Sequence, residues 1–136
     1  MRNVVFVFAV ALTAVFAWPL ANGGQTKNNN QLDGTWELVN SQQLLKGARD
    51  IKIISAGHFI FVTYDTESGT VLGTGGGTCT LNASSYAEHV DFGDRLSPGL
   101  VGKDQHFTVK VDKDTFTQTG TLTHGKDLSE TWKRVN

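Results

Sequence analysis

Apolar and polar residues alternate with a period of two along most of this chain, and turn residues interrupt the alternation about every 8–12 positions. The pattern predicts strands at Gly34–Val39, Asp50–Ser55, His58–Tyr64, Thr70–Leu81, Tyr86–Phe92, His106–Val111, Thr115–Leu122 and Leu128–Val135. Asp65-Thr66-Glu67-Ser68-Gly69, Asp112-Lys113-Asp114 and Thr123-His124-Gly125-Lys126-Asp127 supply compact turns between them. The expected fold is all-β, an up-and-down antiparallel barrel of about eight to ten strands. Its closure is suggested by the two ends of the pattern. Trp36 follows Gly34 on the first strand, and Arg134 follows Trp132 on the last. A guanidinium stacks on an indole face across those strands only if the sheet curls until its edges meet, so Trp36 and Arg134 are expected to close the barrel.

Two segments depart from the alternation. Ser41–Ala48 reads either as a helical turn or as a loop over one barrel end, and the longest connection, Gly93–Asp104, reads equally as a lid and as a plain crossover. The run Gly73-Thr74-Gly75-Gly76-Gly77 has neither the helix nor the lysine of a phosphate-binding loop. Within a strand, such glycines mark a barrel corner, a bulge or a close backbone approach.

Strand faces locate the candidate chemistry. Tyr86, Glu88, Val90 and Phe92 share one face of their strand, while Ala87, His89 and Asp91 share the other. Leu128, Glu130, Trp132 and Arg134 likewise share a face. Glu88 and Glu130 are therefore expected to point inward, where a carboxylate needs pairing, hydrogen bonds or water. Arg134, Arg95 or a lysine could supply that pairing in a purely structural network. The strand His58–Tyr64 has apolar residues on both faces, which suggests cover on both sides. If its Ile60/Val62 face is the lumen, His58 and Tyr64 join Tyr86, Glu88 and Glu130 around a mainly apolar cavity suited to a small molecule.

The ends of the chain and its composition narrow the picture. Arg2, the uncharged run 4–17 and the small residues Ala21 and Gly23 have the layout of a secretory signal peptide. The expected organisation is a signal peptide over 1–23, a polar lead-in over 24–31 and one barrel domain over 32–136, in a secreted or periplasmic protein. Lys+Arg number 12 against 13 for Asp+Glu in the full chain. Loss of Arg2 leaves 11 against 13 and a charge of about −2, with no basic run, which argues against nucleic acid or an anionic membrane surface as partner. Cys79 is the only cysteine, so an intramolecular disulfide is impossible; its setting among threonines suggests a buried thiol. Asn82-Ala83-Ser84 is a glycosylation sequon in a eukaryotic secretory host.

No cofactor is expected. Glu88 and His89 are adjacent on a strand and face opposite sides, and no His-x-His, His-Glu-x-x-His or cysteine pair offers a metal site. A Gly-x-Ser-x-Gly elbow is also missing. General acid–base chemistry, with a desolvated Glu88 moving protons, is the one catalytic mode these residues support.

Gly34-x-Trp36 and Arg134 resemble the barrel-closing elements of lipocalin-like proteins in the wider calycin group. The closer resemblance is to small secreted bacterial lipocalin-like domains of uncharacterised function. It is carried by Gly34-Thr35-Trp36-Glu37-Leu38-Val39, Gly57-His58-Phe59, Tyr64-Asp65, Gly75-Gly76-Gly77-Thr78, Tyr86-Ala87-Glu88-His89-Val90-Asp91-Phe92 and Glu130-Thr131-Trp132-Lys133-Arg134-Val135. The resemblance implies an eight-to-ten-stranded barrel and a small apolar ligand, and transfers no catalytic residue. Three functions remain open at this point: a binding barrel, an isomerase- or cyclase-type enzyme using Glu88, and a solid structural or interaction module.

Overall fold

A computed structural model describes residues 31–94 and 99–135. The expected signal peptide over 1–23, nearly all of the polar lead-in, and Arg95 to Pro98 lie outside the described residues. Eight strands follow in chain order: β1 (Gly34–Ser41), β2 (Ala48–Ser55), β3 (His58–Asp65), β4 (Val71–Asn82), β5 (Ser85–Gly93), β6 (Asp104–Asp112), β7 (Thr115–Thr121) and β8 (Asp127–Arg134). Each pairs antiparallel with its sequence neighbour, and β1 pairs with β8, so the sheet closes into an up-and-down barrel. Closure leaves no free sheet edge.

The two ends of the barrel differ. β2–β3, β4–β5 and β6–β7 are joined by tight turns in which Ala56, Gly57, Ala83 and Lys113 take positive φ. That end is plugged. Leu32, Trp36, Ile54, Tyr86, Phe116 and Trp132 are almost fully buried there. Phe116 sits edge-on to Trp36 at 4.7 Å and stacks on Trp132 at 6.0 Å. The longer connections lie at the opposite end.

Base closure depends on the pair expected from the two chain ends. Trp36 and Arg134 are register partners, and the guanidinium carbon lies 4.0 Å from the indole centroid. Arg134 Nη1 donates to the Asp33 carbonyl at 2.8 Å and Nη2 to that of Gln31 at 3.2 Å, while Trp36 Nε1 donates to the Leu32 carbonyl at 2.7 Å. Gly34 makes room for this arrangement. Its φ is 145°, and a Cβ there would collide with Arg134 Nη1.

The glycine run of β4 is where the barrel wall tightens. A bulge falls between Gly76 and Gly77, opposite Phe92 and Val90, so Asp91 is the extra residue on β5. A Cβ on Gly77 would collide with the His89 carbonyl oxygen. The bulge changes which face follows it. Val90 points inward at 4 % exposure, but Phe92 is turned out to the surface over Gly76. The expectation that Phe92 shares the lumen face with Tyr86 and Glu88 is corrected on this ground.

β3 also differs from expectation. Phe59, Phe61 and Thr63 face the lumen, and His58 and Ile60 stand exposed on the outside. Its outer face is not covered by residues 41–48, which form turns at the open end of the barrel.

Candidate functional site

Above the plugged base, the barrel encloses a cavity of about 590 Å³, open toward the longer loops. Leu38, Phe59, Phe61, Val90, Phe107 and Leu128 supply apolar wall, Trp132 lines it from the base, and Gln42 to Leu45 and Leu100 border it at the loops. The volume falls within the range of about 300–1,000 Å³ usual for small-molecule sites.

A polar cluster crosses this apolar space. Lys52 of β2 reaches Glu88 of β5, Nζ to Oε1 at 2.9 Å, and both side chains are buried. The ammonium also lies 4.8 Å from the Trp132 ring centroid and 5.8 Å from that of Phe59. Glu130 Oε2 accepts hydrogen bonds from Gln118 Nε2 at 2.9 Å and Trp132 Nε1 at 3.0 Å. Near the loops, Gln105 Nε2 donates to Thr123 Oγ1 at 3.1 Å, and its Oε1 accepts from Thr123 N at 3.0 Å. Asp50 shares the inner face of β2 with Lys52 and lines the same cavity. Asp50 Oδ1 and Gln118 Oε1 are buried with no donor.

Burial and charge set the protonation of this cluster. Burial raises the Asp50 carboxyl from 3.8 to about 6, against the opposing pull of Lys52 and the Thr63 hydroxyl. Burial likewise raises Glu130, with Lys52 opposing it. For Lys52, burial works to lower the pKa, but the Glu88 and Glu130 carboxylates together outweigh it, and the amine stays above its ordinary value. The lumen thus holds a firm ammonium and two carboxyl groups inclined to keep their protons.

Of the residues singled out in the sequence, Glu88 and Glu130 share this cavity. Tyr86 points inward, but into the plugged base rather than the cavity wall. Its hydroxyl lies beside Glu88 and the Cys79 thiol without a well-formed hydrogen bond, and burial followed by the Glu88 charge pushes its pKa far up. Cys79 is buried at 5 % exposure, and burial raises its thiol.

His58 and Tyr64 are not in the lumen. Both belong to the outer face of β3, because Phe59 and Phe61 occupy the inner one. The His58 ring is hydrogen-bonded to the carbonyl of its own turn at Ala56 (3.1 Å). Tyr64 lies by Arg49, whose guanidinium grips Glu37 with two bonds of 2.7 and 2.8 Å. Their expected place among the lumenal contacts is therefore corrected. His89 is exposed and bonded to Asp104 at 2.6 Å, and His106 is exposed. No group of metal-ligating side chains occurs among the described residues.

Sequence reasoning missed Asp50, Lys52, Gln105 and Gln118. A signal for each was present. Asp50 and Lys52 alternate with Ile54 of the core, Gln105 with Phe107 and Val109, and Gln118 with Phe116. In Asp50–Ser55 the signal is masked, because Ile51 and Ile53 put apolar residues on the opposite face as well.

A closed eight-stranded antiparallel barrel, plugged at one end and hollow at the other, is a barrel of lipocalin-like kind. A family model described as "Domain of unknown function (DUF4488)" matches residues 31–136, and the chain belongs to that family. A search of curated proteins finds no match.

Proposed function

We propose that this barrel binds a small, mainly apolar molecule in its upper lumen. The cavity of about 590 Å³ carries the reading: apolar walls interleaved with convergent polar and charged groups, and an opening on one side. The plugged base already supplies a packed core, so the hollow upper half is not needed to close the barrel. Transfer of a ligand's apolar surface from water to the apolar part of the wall would drive binding. Glu88 and Glu130, with Asp50, Lys52 and Gln118, would supply the polar contacts. Tyr86 supports Glu88 from below.

Native mass spectrometry of protein purified gently from its own host tests this. A reproducible extra mass, lost on denaturation, is expected. A bare mass, together with failure to bind any apolar probe, would contradict the reading.

A second reading, proton-transfer catalysis of the isomerase or cyclase type in the same cavity, is favoured by one observation. Asp50 titrates near 6 inside a ligand-sized space, close to where a general acid or base works well. Glu88, tied to Lys52, is less suited to the part. An Asp50→Asn protein that retains a molecule isomeric with the one recovered from the wild type would support catalysis. The same molecule in both would leave binding alone.

We further propose that the mature protein is secreted or periplasmic, on the strength of Arg2, the apolar run 4–17 and the small residues after it. The intact mass of the purified protein reads out whether that segment has been removed.

A further inference from the structure

We infer that the upper lumen recognises the protonated amine of a mainly apolar ligand, held by Asp50, Glu130 and the Gln118 side-chain oxygen. The inference rests on the binding reading above and adds the chemistry of the ligand's polar end.

Three acids line the cavity: Asp50 from β2, Glu88 from β5 and Glu130 from β8. Lys52 is the one buried base facing them among the described residues; Lys126 and His124 also border the cavity but are exposed at its rim. Lys52 is committed to Glu88 at 2.9 Å. Glu130 receives only neutral donors, from Gln118 and Trp132. Lys52 acts on Asp50 and Glu130 as well, but it pairs directly with Glu88.

A second, independent feature asks for the same thing. Gln118 is 2 % exposed and spends its amide N–H on Glu130, which leaves Oε1 without a donor. Asp50 Oδ1 is in the same condition. Buried acceptors of this kind cost free energy until a donor arrives. Both oxygens can accept from a ligand, and an ammonium brings three donors. A ligand carboxylate brings no donor and would leave both acceptors unpaired.

Amine binding would also be linked to protons. Asp50 faces Lys52 on its own strand, Thr63 on β3, Glu88 on β5 and Glu130 on β8, with His124 and Lys126 at the rim. An entering ammonium favours the ionised carboxylates and drives a proton off Asp50. Affinity for the amine should then fall as the pH drops through about 6.

The test is calorimetric titration of the mature protein with decylamine, decanol and decanoate, at about pH 7.5 and about pH 5. Decylamine is expected to bind about tenfold or more tightly than decanol at the higher pH, and decanoate more weakly than either. The amine's advantage should shrink at the lower pH. It should also collapse to about twofold in an Asp50→Asn/Glu130→Gln protein shown to be folded by its thermal transition. Equal binding of all three probes, or a preference for decanoate, would overturn the amine assignment while leaving lumenal binding intact. No binding of any probe to folded protein would overturn both.

Discussion

At Lys52, burial and charge pull in opposite directions, and charge wins because Glu88 and Glu130 lie close. Removing one partner of such a pair strands the other in a dry setting. Lys52→Met is expected to cost about 3–5 kcal/mol in chemical denaturation, whereas Lys52→Met/Glu88→Leu should recover most of that loss. Equal costs for single and double variants would show that the pair is not the electrostatic unit described. Asp50 behaves differently, because its folded pKa is raised from 3.8 to about 6. The fold prefers the protonated form. Its favourable contribution is full below about pH 4 and is lost as the pH rises through about 6. The rise from 3.8 to about 6 sets an upper bound of about 3 kcal/mol on the cost of ionising it. Asp50→Asn should therefore raise stability above pH 6 and make little difference at pH 4, as read by denaturation midpoints across pH. An unchanged or lower midpoint at pH 8 would contradict this.

At the scale of strands, one guanidinium reinforces the β1–β8 ladder at the base of the barrel. Arg134→Ala removes the stack on Trp36 and two hydrogen bonds to backbone carbonyls, and should cost about 2–3 kcal/mol. Gly34→Ala should cost about 2 kcal/mol or more through φ strain and collision with the same guanidinium. Because both act on one contact, their combination should fall short of the sum. Strand positions were largely legible in the alternation, and so were Glu88 and Glu130, since each shares a face with large apolar neighbours of the core. The inner face of β3 was not legible: Phe59, Ile60, Phe61 and Val62 give no alternation to read. Nor was the outward turn of Phe92, which follows from a bulge set by Gly76 and Gly77. Lys52 was legible in principle. Two inward carboxylates call for a cation, and Lys52 stands on the same face as Ile54.

At the scale of the whole barrel, the division of labour is between a base packed with aromatic side chains and a hollow upper half crossed by charge. The exposed surface offers a competing apolar groove, lined by Ile53, Ile60 and Phe92 on the outside of the wall. One experiment separates the two locations: a methyl-resolved NMR titration with decanol. The account expects the methyls of Leu38, Val90, Leu122 and Leu128, which line the lumen, to shift and saturate together. Those of Ile53 and Ile60 on the outer face should stay in place. Shifts confined to Ile53 and Ile60, or none at all, would contradict a ligand-binding lumen.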